Sequence, residues 1–248
     1  MTIETEQDLA HLKVAGRIVA RVLQQMIDQA EPGMTTAELD RIGKRLLDHY
    51  EAHSAPQISY GFPAATCISV NEEAAHGIPG ERIIQAGDMV NIDVSVEKNG
   101  YFADSGATFV VPPSTAKKDC LCHATRYALN SAMAKARAGA PLNGIGKAIQ
   151  KVASNKGFKV IKNLCSHGVG RALHEEPREI PGYYDPTDKR RLWKGLVMTI
   201  EPFLSTKSRI VTQQEDGWTL SGAKGNLSAQ YEHTMVITEG KPILITVA

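Results

Sequence analysis

Apolar residues near the start of the chain follow a helical period. Leu9, Leu12, Ile18, Val22 and Met26 fall on one face with polar residues between them. Thr5 and Asp8 ahead of them have the spacing of a capping box, and Pro32-Gly33 stops the pattern. Thr35 and Glu38 repeat the capping signal for a second helix, with Leu39, Ile42, Leu46 and Tyr50 inward. The pattern then changes. Residues 54–63 read as a loop, residues 66–70 are rich in β-formers, and His76-Gly77-Ile78-Pro79-Gly80 reads as another loop. A β-rich stretch over 87–109 follows, closed by Pro112-Pro113. Helical spacing returns over 115–138 and again from Asn143, a potential cap, to Gly157, with Ile145, Ile149 and Val152 on one side. The remainder reads as strands at 158–161, 196–200, 209–212, 218–220, 229–238 and 242–247, with a glycine-punctuated loop over 165–174. Helices and strands in this order, with no linker or low-complexity stretch, predict one α+β domain.

Within residues 87–109 the run GDMVNIDVSVEKNGYFADSGATF contains Asn99-Gly100, the strongest short hairpin signal, because both turn positions need φ > 0. A two-residue loop puts Lys98 opposite Tyr101 and Ser95 opposite Asp104. Side chains alternate faces along a strand, so Asp93 shares the face of Ser95. The carboxylates of Asp93 and Asp104 are then diagonal neighbours about 5–8 Å apart. Without cations they would repel, and one would resist ionising.

The two halves of the chain repeat one order of elements. Each reads helix, helix, strand, His-Gly (His76-Gly77, then His167-Gly168), and then a strand of pattern Gly-x-φ-φ-x-Ile-acid. That strand ends in Asp93 in the first half and in Glu201 in the second, and a further acidic β segment follows each, with Asp104 and with Glu232. Two similar halves packed about a pseudo-twofold axis would bring the four acids together. With His167 they form a set of four carboxylates and one imidazole, which suits two divalent cations about 3.5 Å apart. Taken singly, each acid also reads as a solvated strand residue or half of a salt bridge, and His167 as a capping or core histidine. Asp93 is the sharpest, because Val90, Ile92 and Val94 make an apolar strand in which a lone acid is rarely buried unpaired.

Composition narrows the classes. With 248 residues, 42% of them apolar, the chain can bury a full core. The formal charge of +1 and the lack of a basic, aromatic-studded stripe disfavour sequence-specific nucleic-acid binding. The polar start and the absence of a long apolar run disfavour a leader or a membrane span, so a cytoplasmic protein is expected. Cys67, Cys120, Cys122 and Cys165 fit neither a disulfide framework nor paired zinc knuckles and read as reduced thiols, mostly packing.

The strings CISVNEEAAHGIPG, VNIDVSVEKNGYFADS, SHGVGRALHEEP, MTIEP and AQYEHT, in this order and spacing, resemble type I methionine aminopeptidases. The likeness covers nearly the whole chain. It implies the pseudo-symmetric pita-bread α+β fold, a central antiparallel sheet with helices packed on it. It also implies a single catalytic domain over 1–248, with halves of roughly 1–113 and 114–248. The implied activity is removal of the initiator methionine from nascent proteins with two divalent metal ions, for which cobalt, manganese, iron, nickel and zinc are all candidates. By the resemblance Asp93 is a bidentate ligand of one ion, Asp104 and Glu232 bridge both, and His167 and Glu201 complete the other shell. A water activated by the ions would attack, with Glu201 taking its proton and later passing it to the leaving amine. His174 and His76 match substrate-contacting histidines, the first bonding the scissile carbonyl oxygen and the second placing the nitrogen after methionine. Read locally, His174 equally fits an ion pair with Glu175 or Glu176, and His76 a plain loop histidine.

The chain departs from the family pattern at the substrate pocket. Pro56 replaces the usual cysteine, Ser59 a tyrosine and Leu173 an aromatic, while Phe62 and Trp218 remain as apolar walls. Fewer contacts with a methionine side chain would remove on the order of 1–3 kcal/mol of discrimination, so weaker methionine selectivity is expected, as in a secondary copy. The expected partner is the N-terminal methionine of nascent polypeptides, with the ribosome surface as a further one and a monomer as the state. Two alternatives share the fold: an Xaa-Pro-type aminopeptidase with the same ligands, and a non-catalytic binding protein. The intact ligand set argues against the second.

Overall fold

The computed structural model describes residues 1–248. Helix α1 (Glu6–Gln29) opens on the capping box: Thr5 Oγ1 accepts from Asp8 N at 3.0 Å, and the Asp8 carboxylate accepts from Thr5 N at 3.1 Å. Helix α2 (Thr36–His49) opens the same way with Thr35 and Glu38. Strand β1 (His53–Ser54) then leads into a six-residue helix, α3 (Ala55–Tyr60), where the sequence predicted a loop. Pro56 sits in its first turn, where a missing N–H leaves nothing unpaired, and Gly61 ends it in a left-handed conformation.

After β2 (Cys67–Val70) and β3 (Glu73–Ala75) comes the hairpin of β4 (Met89–Lys98) and β5 (Tyr101–Val110). Asn99 and Gly100 have φ of 54° and 78°, and the register pairs Lys98 with Tyr101 and Ser95 with Asp104, as the two-residue turn predicts. Asp93 lies opposite Gly106. Alternation along β4 turns Val90, Ile92, Val94 and Val96 into the core with α1 and α2. Asn91, Asp93 and Ser95 are left on the other face.

The second half begins with α4 (Ala116–Met133) and α5 (Asn143–Asn155). Leu142, not Asn143, is the N-cap of α5; the Asn143 amide instead donates to the carbonyls of Asp185 and Asp188 at 2.9 and 3.0 Å. Short strands follow: β6 (Lys159–Val160), β7 (Cys165–Gly168), β8 (Glu175–Pro181), β9 (Val197–Ile200) and β10 (Phe203–Ser205). The last five are β11 (Thr212–Gln213), β12 (Leu220–Ser221), β13 (Ser228–Gln230), β14 (His233–Val236) and β15 (Ile243–Leu244). Strand β7 lies where a loop was expected. Its Ser166, His167 and Gly168 are poor β-formers, but pairing with β8 and β9 overrides propensity. The predicted strand over 229–238 is interrupted at Tyr231-Glu232.

Strand β4 lies between β2 and β5, and β9 lies between β7 and β14, all antiparallel. The two Gly-x-φ-φ-x-Ile-acid strands therefore hold equivalent central places. The sheets meet along β5: Glu232 N donates to Gly106 O at 2.9 Å, Ser105 Oγ to Glu232 O at 2.6 Å, and Asp104 N to Thr234 Oγ1 at 2.9 Å. Helices α1 and α2 cover one core and α4 and α5 a second. This is the pita-bread arrangement of antiparallel sheets with flanking helices. No helix is long and apolar enough to cross a membrane.

Candidate metal centre

The strand seam gathers the acids from both halves. Ligating atoms of Asp104, His167 and Glu232 lie within 4.8 Å of one another, all buried. His167 Nε2 is 3.7 Å from Asp104 Oδ2 and 3.5 Å from Glu201 Oε1. Its other nitrogen, Nδ1, lies 2.9 Å from Gly168 O. A carbonyl can only accept, so Nδ1 carries the proton and Nε2 presents its lone pair to the carboxylates, as a metal-binding imidazole must. Ser95 Oγ donates to Asp104 Oδ1 at 2.8 Å. Glu201 is held through its backbone N–H, which donates to Ser166 Oγ at 2.9 Å, and by Thr199 Oγ1 at 3.3 Å from its carboxylate.

Nothing in the protein neutralises this cluster. Burial pushes the carboxyls of Asp93, Glu201 and Glu232 well above the usual range, and their mutual charges add to it. Burial also raises Asp104, to about 6, although neighbouring hydrogen bonds hold it back. The same burial, with His174 and His76 nearby, pulls His167 down to about 3, so it supplies no positive charge. Asp93 Oδ1 and Glu232 Oε1 are enclosed without a hydrogen-bond partner. Buried acceptors in such number, two of them orphaned, fit a cation. A lone-pair nitrogen among carboxylate oxygens suits a divalent one.

A cavity of about 390 Å³ opens over the cluster. Asp93, Asp104, His167 and Glu201 line its floor, and Pro56, Phe62, Leu173, Trp218, His76 and His174 its walls. Phe62 and Trp218 meet edge to face, ring centroids 5.2 Å apart. His76 stands in the left-handed region at φ 55°, which a non-glycine residue adopts only when its surroundings enforce it. The ring of His174 leans over His167, centroids 4.0 Å apart. Solvent reaches His76 and His174 through the cavity, yet the surrounding protein disfavours their charged forms and brings His174 down to about 4. His174 is not paired with its acidic neighbours. Glu175 accepts from the N–H groups of Arg171 and Ala172 at 2.5 and 2.7 Å, and Glu176 lies 3.5 Å from Arg178.

One sequence expectation fails here. Ser59 does not line the cavity and is exposed to solvent. Successive helical residues point about 100° apart, so when α3 turns the next residue, Tyr60, into the wall, Ser59 is turned away. Sequence reading also passed over the polar groups behind the floor. Asn91 Nδ2 donates to Gln230 Oε1 at 2.8 Å, and Gln230 Nε2 to Glu232 Oε2 at 3.0 Å. Gly106 leaves the room for this amide, since a Cβ there would collide with Gln230. All four cysteines are free thiols, but Cys67 and Cys165 line the cavity. Burial keeps both protonated, pushing Cys165 up to about 11.

An open pocket above a buried, unneutralised donor set fits a catalytic metal site, since a structural one is closed by its ligands. The chain belongs to metallopeptidase family M24, whose model matches residues 10–239. Over 247 residues it is 45% identical to methionine aminopeptidase 2 of Bacillus subtilis, covering 99% of both chains. It is 38% identical over 249 residues to the methionine aminopeptidase of Escherichia coli, covering 99% of this chain and 94% of that one. The crystal structure of methionine aminopeptidase from Thermotoga maritima superposes with a TM-score of 0.95 at 33% identity, each chain covered completely. Prolidase from Pyrococcus furiosus shares the fold, with a TM-score of 0.77 at 21% identity, but this chain covers only 66% of it.

Proposed function

We propose that the chain removes the N-terminal methionine of peptides and nascent proteins by metal-assisted hydrolysis of the first amide bond. The observation that carries this reading is the buried carboxylate-histidine cage at the floor of a cavity with apolar walls. The activity of relatives 45% and 38% identical over the full chain supports it. The whole chain would act as one catalytic domain, its two halves, roughly 1–113 and 114–248, each supplying part of the cage.

Asp93, Asp104, His167, Glu201 and Glu232 would hold one or two divalent ions. When bound, such ions supply positive charge that acidifies water and polarises an amide carbonyl. Every other element of the reaction belongs to side chains. Glu201, braced by Ser166 and Thr199, would take a proton from the attacking water and return it to the leaving amine. His174 would donate to the scissile carbonyl oxygen as it gains negative charge. His76, held at its left-handed turn, would bond the backbone beyond the scissile amide. Phe62, Leu173 and Trp218 would enclose the methionine side chain, and their apolar surface would exclude bulk water from the amide.

Metal-stripped protein assayed on Met-Ala-Ser, Leu-Ala-Ser and an Xaa-Pro peptide, before and after addition of manganese, cobalt or iron, tests the reading. Metal-dependent release of methionine is the expected result. Release from the Xaa-Pro peptide alone would move the chain to the prolidase type. No metal-dependent release from any peptide would make it a binding protein.

A further inference from the structure

We propose that Tyr60 is a positioning residue that sets the tautomer of His174. The inference rests on the reading of His174 as the donor to the scissile carbonyl oxygen. The Tyr60 hydroxyl lies 2.7 Å from His174 Nδ1, with ring centroids 5.5 Å apart. Each group is the other's hydrogen-bond partner: the phenol makes no second bond, and His174 Nε2 makes none within the protein. The imidazole also meets the His167 ring, centroids 4.0 Å apart, so His174 touches both the cage and α3.

A neutral imidazole has one N–H and one bare nitrogen, and the bond made by one nitrogen decides where the proton sits. Between a phenol and an imidazole, the phenol O–H is the more acidic donor and the bare ring nitrogen the better acceptor. Tyr60 therefore donates to Nδ1, and the proton resides on Nε2. Only that tautomer offers an N–H to an oxygen that is gaining negative charge; the other would point a lone pair at it. The tyrosine is set by local architecture. It ends α3, where Gly61 turns the chain, and its ring stays half exposed at the cavity mouth with the hydroxyl directed inward to His174. The contact also ties α3, in the first half of the chain, to the turn before β8 in the second.

Tyr60→Phe keeps the ring and removes only the hydroxyl, so the metal-loaded, full-length variant tests this on Met-Ala-Ser. Loss of one orienting hydrogen bond should lower kcat about tenfold and leave KM within about twofold. In a His174→Ala background the same change should have no further effect. Nitrogen-15 NMR of the zinc-loaded protein should show His174 protonated at Nε2, and a mixture of tautomers in Tyr60→Phe. A kcat within about twofold of wild type, an undiminished loss in the His174→Ala background, or a proton on Nδ1 would each overturn the proposal. If His174→Ala itself keeps full kcat, the role of His174 as donor falls. The NMR comparison would still decide whether Tyr60 fixes the tautomer.

Discussion

On the floor of the cavity, Asp93 and Asp104 stand on two ten-residue strands whose ladder is unbroken from Met89 to Val110. At its rim, Tyr60 closes a six-residue helix, and Leu173 and His174 sit in a turn between short strands. Of the cage acids, Asp104 is braced by Ser95, Glu232 by Gln230, and Glu201 by Thr199 and Ser166. Tyr60 and His174 make side-chain hydrogen bonds only with each other. Asp93 and Asp104 cannot shift without breaking strand pairing, whereas a residue at the rim can be exchanged with small effect on its neighbours. The proposed metal-holding residues and the proposed substrate contacts thus stand on parts that are braced unequally.

The largest effect should come from the floor. Asp104→Asn preserves shape, and its amide oxygen can still accept from Ser95. Removing one carboxylate of the cage should reduce methionine release about 10³-fold or more and lower bound metal. The metal-free variant should unfold at a higher temperature than the metal-free wild type near neutral pH, because one member of a repelling cluster is gone. Full activity with full metal content would remove Asp104 from the site.

A pH series sharpens the same contrast. In the metal-free fold the Asp104 carboxyl is raised from 3.8 to about 6, and those of Asp93, Glu201 and Glu232 rise as well. The folded state then binds protons that the unfolded chain has already released, so stability falls as pH rises through this window. Bound cations favour the ionised carboxylates and cancel that loss. Thermal unfolding with and without a chelator should show a metal-induced gain in Tm that grows between about pH 5 and 7. A gain independent of pH would mean that the cage binds metal without releasing protons.

A smaller effect is expected one layer behind the floor. Gly106→Ala would drive a methyl group into the Gln230 amide, which holds Asn91 on one side and Glu232 on the other. Overpacking of this kind costs about 1–3 kcal/mol, readable by urea denaturation. Disturbing the partner of a ligand should also weaken metal binding roughly 10–100-fold. Unchanged stability and affinity would show that the network yields without consequence.

The same contrast explains what the sequence disclosed. The hairpin was legible because Asn99-Gly100 dictates its turn, and period-two alternation then puts Asp93 and Asp104 on one face. The equivalence of β4 and β9 could be read from a seven-residue pattern. Helix α3 was not legible, since six residues with a proline in the first turn carry too little periodicity, so nothing showed that Ser59, which matches a pocket tyrosine in the family pattern, would turn outward. Strand β7 was hidden because Ser166, His167 and Gly168 favour loops and become a strand only through pairing on both sides. Gln230 and Asn91 went unread for another reason. A buried amide looks like any other amide until its partners are known.

The finest test concerns the rim. Leu173 is 4% exposed and lines the same cavity as Phe62 and Trp218, so a larger side chain there would take up part of the cavity. With Leu173 and Pro56 in its walls, wild type should prefer Met-Ala-Ser to Leu-Ala-Ser only modestly in kcat/KM. Leu173→Phe adds an aromatic face for the thioether and should raise that preference about fivefold, on the order of 1 kcal/mol. Because the floor is untouched, kcat on the methionine peptide and bound metal should stay close to wild type. If wild type already rejects leucine strongly, the expectation of weak selectivity falls. If Leu173→Phe lowers kcat on both peptides alike, the rim is coupled to the floor after all, and the turn that carries Leu173 and His174 is the connection.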